Sequence, residues 1–274
     1  MSLAAAWDKR RARISTRKGG WRIGAGITVH GHSLLEELVG TRSFTEVLFL
    51  EVCGKLPDPA LARWIEASFL CLSFPDPRIW CNQIGALAGS ARVDPVTGIA
   101  AGVMASDSTL YGPGTTRAAC AFLLAAKAAA AAGEAPRDFL ARHTTRSGRL
   151  RAPGFARPIA RGDDRVDALA RLSARLGFVD GVHLALAWQL DDAAQAATGD
   201  RINMLGYLAA FLLDRGIAIE DGERLYALCV NAGVHACYAE AASEPPGAFL
   251  PLAVADVEYL GPAPRALPAA GTGA

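Results

Sequence analysis

A run of arginines broken by glycine and proline is the first feature of this sequence with the chemistry of a binding site. Seven arginines fall in the segment 142–165, which also contains Gly148, Pro153, Gly154 and Pro158. They are Arg142, Arg146, Arg149, Arg151, Arg157, Arg161 and Arg165. Arginine binds carboxylates and phosphates through two parallel hydrogen bonds and keeps its charge at every physiological pH. Two interpretations fit the segment: an irregular loop that holds an anion, and a solvated loop.

A glycine-rich turn stands at the start of the most alanine-rich stretch of the chain. The polar segment 106–111 is followed by Gly112-Pro113-Gly114, then by Thr115 and Thr116, and then by a long alanine-rich run. Threonine can cap a helix, and alanine is the best helix former, so a helix is predicted over 114–132. Glycine lets backbone approach a ligand, and helix N-termini attract anions. A ligand site at this turn and a plain turn into a buried helix both fit.

Histidine and cysteine are arranged in ways that argue against a metal site. His30 and His32 are one residue apart but have no third ligand close in sequence. The six cysteines form no C-x-x-C pair, so they are predicted to pack in the core as small apolar side chains. Gly24 and Gly26 begin a pattern of the dinucleotide-binding type, but Val29 replaces the third glycine. No metal and no dinucleotide are therefore expected.

Composition and charge predict a globular protein without a membrane segment. Of the 274 residues, 51% are hydrophobic and 20% are charged, and no uncharged apolar run is long enough to cross a bilayer. Residues 1–22 contain seven basic residues and one acid, a balance of +6, whereas the whole chain carries +1. No aromatic platform or known reading motif follows this basic segment, so a solvated tail is favoured over a nucleic-acid partner. With no secretory signal in view, a soluble cytoplasmic protein is expected.

Apolar residues recur at three- and four-residue spacing along most of the chain, which predicts a mainly α fold. Ser33 with Glu36 has the spacing of a capping box, and Gly54 and Pro57 are typical of a helix end. The segment 21–29 is predicted to be extended, and 250–260 to form a strand or an arm. Helices are predicted over 45–53, 58–73, 79–91, 114–132, 136–140, 167–176, 183–196, 205–213 and 220–239.

Four stretches match, in order and approximate spacing, the motifs of one known family. They are HGHSLLEEL at 30–38 with SFTEV at 43–47 and GKLP at 54–57; LYGPG at 110–114; GFAR at 154–157 with DR at 164–165; and NMLG at 203–206. On these stretches the chain resembles the citrate synthase superfamily, and in particular its short citryl-CoA-lyase-like members, from about residue 21 to 268. The family motifs at these places are R-G-Y-x-(I/L)-x-E-L with S-F-x-E-V and G-x-L-P, L-H-G-G-A, G-F-G-H with D-P-R, and N-V-D.

The resemblance implies a helical subunit of two domains with the ligands in the cleft between them. A basic tail over 1–20 would precede a large domain formed by 21–112 and 205–274, with a small domain over 113–204. The resemblance also implies a homodimer, coenzyme A in the form of an acyl-CoA substrate, a carboxylic acid as second substrate, and no metal. Family members make or break a carbon–carbon bond between an acyl-CoA and a keto acid.

The departures from the family motifs fall on the residues that do this chemistry. The reaction needs a base for the α-proton of the thioester and donors for the enolate oxygen, for which the family uses an aspartate and two histidines. In this sequence Leu205 stands at the aspartate position, and Tyr111 and Arg157 stand at the histidine positions. A further family histidine falls near Asp76, and a late family arginine falls near Asn231. Leucine cannot accept a proton, and arginine hardly exchanges one near neutral pH.

The remaining polar residues define the site hypothesis that the resemblance implies. Catalytic roles are assigned to Tyr111, Arg157 and Asp76, with Asp107 as another possible base; substrate binding to Arg165, Asn203 and His30; and coenzyme A binding to Gly112, Gly114, Thr115 and Arg161. Purely structural roles stay open for Tyr111 as a turn aromatic, for Asp76 as a turn residue and for Asn203 as a helix-start residue. Two functions stay open as well: an enzyme with altered chemistry or substrate, and a non-catalytic homologue that binds a coenzyme A ester or a partner subunit.

Overall fold

The structure is a computed structural model that describes residues 3–9, 11–12, 14–108, 112, 114–157, 160–247 and 253–267. Tyr111, which the resemblance assigns to carbonyl polarisation, lies outside the described residues, as do its neighbours 109, 110 and 113. Within these ranges the chain is mainly helical with a small sheet near the start.

The α-helices are α1 Leu3–Asp8, α2 Phe44–Cys53, α3 Pro59–Leu72, α4 Trp80–Ser90, α5 Pro95–Ala105, α6 Gly114–Ala131, α7 Pro136–Ala141, α8 Asp164–Arg175, α9 Val182–Thr198, α10 Met204–Asp214, α11 Ile219–Tyr226 and α12 Asn231–Ser243. A π-helical turn covers Leu34–Leu38, and a 3₁₀ turn covers Val254–Asp256. The prediction for 220–239 was wrong in joining α11 to α12. Between them the chain turns through tight hydrogen bonds from Cys229 to Tyr226 and from Asn231 to Leu228.

The small sheet forms where an extended segment was predicted. Strands β1 Gly19–Arg22, β2 Gly26–Val29 and β3 His32–Ser33 pair antiparallel in that order. The Ser33 hydroxyl accepts from the Glu36 amide, but the Ser33 amide donates to Glu37. The predicted capping box is therefore present with Glu37 in place of Glu36 as the returning carboxylate, because the turn that follows is π-helical.

Helix α2 begins and ends at residues whose types predict those positions. The Ser43 hydroxyl accepts from the Glu46 amide, and the Glu46 carboxylate accepts from the Ser43 amide, so both halves of a capping box are present. Gly54 ends the helix at φ +76°, a conformation that glycine adopts without strain. Asp58 then caps α3, whose first residue is Pro59.

One hydrophobic core joins most of the helices. Trp64 of α3 stacks on Phe211 of α10 with ring centroids 3.5 Å apart, and its indole Nε1 donates to the Ser173 hydroxyl of α8 at 2.8 Å. The Ser173 hydroxyl lies 3.0 Å from the Tyr207 hydroxyl. This core contains residues from both predicted domains, and the domain boundaries stay a prediction. In the described ranges, no helix has the length and apolarity needed to span a membrane.

Helices α4, α5 and α12 pack through small residues. A Cβ atom on Gly85 would lie 2.9 Å from the Val234 Cγ1 atom, and one on Gly102 would lie 2.6 Å from the same atom. A Cβ atom on Gly89 would overlap the Tyr238 carbonyl oxygen. The glycines therefore let α12 approach α4 and α5 more closely than larger residues would permit.

The cysteines are unpaired, and burial is what sets their chemistry. Four of them lie in the interior, and two are half-buried; the buried four are Cys81, Cys120, Cys229 and Cys237. Burial raises the pKa of the Cys120 thiol to about 11 and that of the Cys229 thiol to about 12. Burial, followed by the negative charge of Asp221, raises the pKa of Cys53 to about 11. The prediction that cysteine serves as a small core residue is confirmed for the buried four.

Candidate anion-binding site

A buried carboxylate lies at the centre of the arginine-rich segment. The side chain of Asp163 has no exposure, and it caps α8. Arg165 forms a two-pronged ion pair with it, since Nε lies 2.7 Å from Oδ1 and Nη2 lies 2.7 Å from Oδ2. The amide of Met204, the first residue of α10, donates to Oδ2 at 2.9 Å. One carboxylate thus joins the N-termini of two helices to an arginine.

A second arginine lies beside this ion pair. The Nη1 atom of Arg157 is 3.5 Å from Asp163 Oδ1 and donates to the Gly162 carbonyl at 3.3 Å, and its side chain is 21% exposed. The Nη1 atom of Arg165 donates to the Cys71 carbonyl at 3.3 Å, which ties the site to the end of α3. Two guanidinium groups and two helix N-termini therefore converge on the Asp163 carboxylate, and Asp164 and Asp167 follow it in the first turn of α8.

The pKa of Asp163 reflects a balance of opposing effects. Burial by itself raises the pKa of this carboxyl. The hydrogen bonds and charge of Arg165, the Met204 amide and the charge of Arg157 lower it, and together they outweigh burial, so the pKa lies below its ordinary value. The group is a bound anion at neutral pH and is poorly suited to accept a proton.

This lowered pKa gives the first testable prediction, which concerns stability against acid. An aspartate carboxyl in an unfolded chain has a pKa of about 3.9. Because the folded-state pKa is lower, the contribution of Asp163 to the free energy of unfolding is complete above about pH 4 and is lost as the pH falls through the folded-state value. Urea unfolding of the wild type and of Asp163→Asn, from neutral to acid pH, measures this contribution. We expect the difference to shrink below about pH 4; a difference that is independent of pH would contradict the assignment.

Asn203 fastens the arginine-rich segment to α10. Its side-chain Oδ1 accepts from the Leu205 and Gly206 amides at 3.0 and 3.1 Å, which makes it the cap of α10. Its Nδ2 donates to the Ala156 carbonyl at 2.9 Å, and its own amide donates to the Gly154 carbonyl at 2.9 Å. The structural role left open for Asn203 as a helix-start residue is confirmed, and its substrate-binding role stays a prediction.

Three backbones meet at Gly154. A Cβ atom on Gly154 would lie 2.7 Å from the Gly206 Cα atom and 3.3 Å from the Ala119 Cβ atom of α6. A Cβ atom on Gly206 would overlap the Gly154 carbonyl oxygen. These close approaches place the Arg157 segment against both α6 and α10. Ala119 is five residues from the start of α6, so the glycine-rich turn lies about 7.5 Å along the helix axis from this contact.

The glycine-rich turn has the backbone geometry expected of a close-packed helix entry. Gly112 has φ +82°, and a Cβ atom there would overlap the Ser106 carbonyl oxygen. The Thr115 hydroxyl donates to the Gly112 carbonyl at 2.7 Å. A Cβ atom on Gly114 would lie 3.1 Å from Asp107 Oδ1, so a carboxylate lies at the start of α6. The roles assigned to Gly112, Gly114 and Thr115 in binding coenzyme A stay predictions.

Arg161 lies apart from the Asp163 ion pairs. It is exposed, and its Nη1 would lie 3.1 Å from a Cβ atom on Gly199, so the guanidinium packs on the backbone at the end of α9. It forms no ion pair with any residue in the described ranges. Its position leaves the guanidinium accessible to an anion in solvent, and its assigned role in coenzyme A binding stays a prediction.

Asp76 belongs to a local ion pair in the loop after α3. Its carboxylate accepts from Arg78 Nη2 at 2.6 Å and from the Arg78 amide at 2.9 Å. The hydrogen bonds from Arg78 lower the pKa of Asp76 to about 2. The Asn82 side chain donates to its carbonyl at 2.9 Å. The turn role left open for Asp76 fits this geometry, and as a base it is weaker than an ordinary aspartate.

His30 occupies a different part of the fold. It has φ +48° between β2 and β3, and its Cε1 atom would lie 3.5 Å from a Cβ atom on Gly54. Its Nε2 atom is buried and has no hydrogen-bond partner in the described part of the chain. No recorded contact between described residues links His30 or Asp76 to the Asp163 cluster. Of the assigned side chains, the structure brings together Arg157, Arg165 and Asn203.

No protein-family model and no curated protein matches this sequence. Several solved structures are nevertheless similar to it. Citryl-CoA lyase from Hydrogenobacter thermophilus superposes with a TM-score of 0.77 at 23% identity, over 93% of this chain and 97% of that one. ATP citrate lyase from Methanosaeta concilii, solved with (3S)-citryl-CoA, gives 0.72 at 18% identity, over 96% and 44%. Citrate synthase from Thermoplasma acidophilum, solved with carboxymethyl coenzyme A and oxaloacetate, gives 0.58 at 17% identity, over 82% and 58%.

The chain has the citrate synthase fold. The resemblance inferred from the sequence motifs and the prediction of a mainly α architecture are both confirmed at this level. At this identity the likeness establishes the fold alone, because one fold can carry many activities. Within this citrate synthase fold, Leu205 lies half-buried in the first turn of α10 and packs against the core. An apolar side chain therefore stands at the residue that the motif comparison assigned to the family aspartate, and that assignment stays a prediction.

Sequence reasoning missed the residue on which the site is centred. Asp163 precedes Asp164 in the sequence, and the family motif drew attention to the second aspartate. The available signal was the position of Asp163 directly before a helical pattern, where aspartate is a preferred cap. Its hydrogen bond from the Met204 amide could not be read from the sequence, because Met204 lies 41 residues away.

Proposed function

We propose that this protein binds a coenzyme A thioester together with a di- or tricarboxylate, and that it makes or cleaves a carbon–carbon bond of the citryl-CoA type by an altered mechanism. The observation that carries the proposal is the convergence of two guanidinium groups on the buried Asp163 carboxylate. Arg157 and Arg165 oppose a single carboxylate at two helix N-termini. Such a site favours a further anion, since helix N-termini and arginine both stabilise negative charge.

Arg157 is the side chain best suited to hold the substrate carboxylate. Arg165 already directs two of its nitrogens at Asp163 and its third at the Cys71 carbonyl. Arg157 uses Nη1 alone for the contacts recorded with described residues. Its other nitrogens therefore supply donors for a ligand, and Arg165 and Asp163 hold the surrounding backbone in place.

The ligands of the similar structures agree in chemical class with this site. The Methanosaeta concilii enzyme was solved with (3S)-citryl-CoA, and ATP citrate lyase from Methanothrix soehngenii was solved with citrate and coenzyme A. Each of these ligands carries carboxylate groups, phosphate groups or both. The turn at Gly112–Thr115 and the exposed Arg161 are the proposed contacts of the coenzyme A portion.

We choose the base among the carboxylates near the glycine-rich turn and the arginine-rich segment by their contacts with described residues. Cleavage of a citryl thioester requires removal of the hydroxyl proton, rupture of the carbon–carbon bond and stabilisation of the enolate that leaves. Asp163 is engaged by arginine, and Asp76 has a lowered pKa. Asp107, at the start of α6, is the carboxylate that we propose as base.

A second function is favoured by the leucine at the start of α10. If Leu205 replaces the family base without compensation, the site binds its ligands and does not turn them over. The protein would then be a non-catalytic homologue that senses a coenzyme A ester or regulates a partner subunit. The two functions share the anion site and differ in turnover, so binding and activity must be measured separately.

Calorimetric titration with acetyl-CoA and free coenzyme A, with and without oxaloacetate or citrate, tests the proposal. We expect binding that is strengthened by the carboxylate and weakened about 10- to 100-fold in Arg157→Gln, as befits loss of a charged hydrogen-bond donor. Arg149→Gln, an exposed arginine of the same segment, is the matched control and should bind like the wild type. Absence of coenzyme A binding in every combination would refute the proposal. If the ligands bind, an assay of citryl-CoA cleavage distinguishes an enzyme, which turns the ligand over, from a non-catalytic sensor, which does not.

The homodimer also stays a proposal for this chain. Val96, Ala100 and Met104 are exposed at four-residue spacing along α5, and Leu87 of the adjacent α4 is exposed as well. An apolar stripe of this kind suits contact with a second copy. Sedimentation equilibrium determines the oligomeric state.

A further inference from the structure

A lysine, a histidine and an aspartate form a chain of hydrogen bonds away from the anion site. Lys127 of α6 has its Nζ 3.3 Å from Nε2 of His183, at the start of α9. Nδ1 of the same imidazole lies 2.8 Å from Oδ1 of Asp214, at the end of α10. Lys127 is thirteen residues from Gly114, which is about 20 Å along the helix axis. The cluster is therefore separate from the glycine-rich turn.

Asp214 is held by three backbone hydrogen bonds in addition to its contact with His183. Its side chain is 2% exposed and accepts from the backbone amides of Gly181, His183 and Leu184 at 2.9–3.0 Å. These amides form the N-terminus of α9, where a carboxylate is stabilised by the unpaired donors and the helix dipole. Both oxygens of Asp214 therefore serve as hydrogen-bond acceptors.

The geometry limits the proton arrangements of the three groups to two. Because Asp214 only accepts, Nδ1 of His183 must carry a hydrogen and donate it. A hydrogen bond between Lys127 Nζ and His183 Nε2, which are 3.3 Å apart, requires that one of the two nitrogens accept with a lone pair. A doubly protonated imidazole therefore cannot pair with a lysine ammonium in this arrangement. The arrangement therefore pairs an ammonium with the free lone pair of Nε2, or an amine with an imidazolium that Asp214 stabilises.

We propose that Lys127 is a nucleophilic amine that accepts an acyl group from an activated acyl ester, with His183 as its base and Asp214 as the positioning residue. A nucleophile within hydrogen-bond reach of a base, itself oriented by a third group, is the arrangement of activated nucleophiles in general. Lys127 is exposed to solvent, so an acyl donor can reach it, whereas His183 is buried.

The step balances without any further reagent. Lys127 gives one ammonium proton to Nε2 of His183, and the resulting amine forms a C–N bond with the carbonyl carbon of the thioester. The C–S bond breaks and its electron pair leaves on the thiolate, which takes the second proton from the nitrogen. His183 then releases its proton to water, and the products are an N-acyl-lysine and a free thiol. A coenzyme A thioester as donor rests on the proposed function, but the nucleophilicity of Lys127 does not.

The experiment compares lysines within one molecule. The sequence has four lysines, and Lys9 and Lys55 are exposed like Lys127. The folded protein is treated either with p-nitrophenyl acetate, which needs no coenzyme A site, or with acetyl-CoA, and acetylation is quantified at each lysine by peptide mass spectrometry. We expect Lys127 to react at least about tenfold faster than Lys55, a modest share of what general base catalysis supplies.

Two variants test the parts played by histidine and aspartate. In His183→Asn the amide can still donate to Asp214 but the base at Nε2 is absent, and acetylation of Lys127 should fall to the rate of Lys55. Asp214→Asn should lower the ratio of Lys127 to Lys55 acetylation, and urea unfolding of this variant checks that its fold is intact. Equal acetylation of Lys9, Lys55 and Lys127, or a preference that survives His183→Asn, would overturn the proposal. Preference with p-nitrophenyl acetate but not with acetyl-CoA would support the nucleophile and exclude acetyl-CoA as its donor.

Discussion

Replacing Asp163 with alanine is expected to lower the free energy of unfolding by about 3 kcal/mol, because removing one partner of a buried ion pair leaves the other without compensation. In this variant Arg165, Arg157 and the Met204 amide all lose their acceptor at once. The loss should also separate the start of α8 from the start of α10. Chemical unfolding at neutral pH, monitored by tryptophan fluorescence, measures the change.

A matched substitution separates the ion pairs of Asp163 from its capping role. Asp58 caps α3 by accepting from the Leu61 amide at 2.8 Å, but it is exposed and forms no ion pair with a described residue. Asp58→Ala should therefore lose about 1 kcal/mol, the usual contribution of a helix cap. If the two variants lose equal stability, the arginines contribute nothing beyond the cap, and the cluster is not the structural centre that its geometry indicates.

Gly206→Ala is expected to cost about 3 kcal/mol, at the upper end of what overpacking typically costs. The added methyl group would overlap the Gly154 carbonyl oxygen, and this neighbour is backbone that cannot rotate away. Relief of the overlap must move the 154–157 segment from α10 and stretch the hydrogen bond from the Asn203 amide to Gly154. Arg157 moves with that segment, so weaker binding of the carboxylate ligand should accompany the loss of stability.

Gly222→Ala is the control for helix propensity. Gly222 also lies within a helix, α11, and a Cβ atom there would meet Leu212 Cδ1 at 3.4 Å, an ordinary contact. Alanine is a better helix former than glycine by about 1 kcal/mol, so this variant should be neutral or slightly more stable. Urea unfolding of both variants gives the comparison. Equal effects of the two substitutions would show that the close approach of Gly206 to Gly154 is not under steric constraint.

The parts of the fold that could be predicted from the sequence are those set by neighbouring residues. Ser43 with Glu46, Gly54, and Asp58 before Pro59 are local signals, and the structure has helix ends at each of them. The boundary between α11 and α12 was missed, because apolar spacing continues across it and no glycine or proline marks the turn.

The candidate site was less predictable, because the contact that joins it to α10 is distant in sequence. The arginine-rich segment was recognised by composition, yet the carboxylate that organises it was not, since Asp163 gains its importance from Arg157 and from the Met204 amide. The cluster of Lys127, His183 and Asp214 had no signal at all. Its members are 56 and 31 residues apart, and a spacing of that size carries no information about contact.

The buried thiols have a practical consequence for spectroscopy. Thiol reagents such as maleimides react with the thiolate, and burial holds the pKa of Cys53, Cys120 and Cys229 near 11 to 12, well above neutral. A single cysteine introduced at an exposed position, such as that of Val179, should therefore be labelled selectively while the six native residues stay in place. Fluorescent or spin labels on otherwise native protein could then report distances in solution as ligands are added.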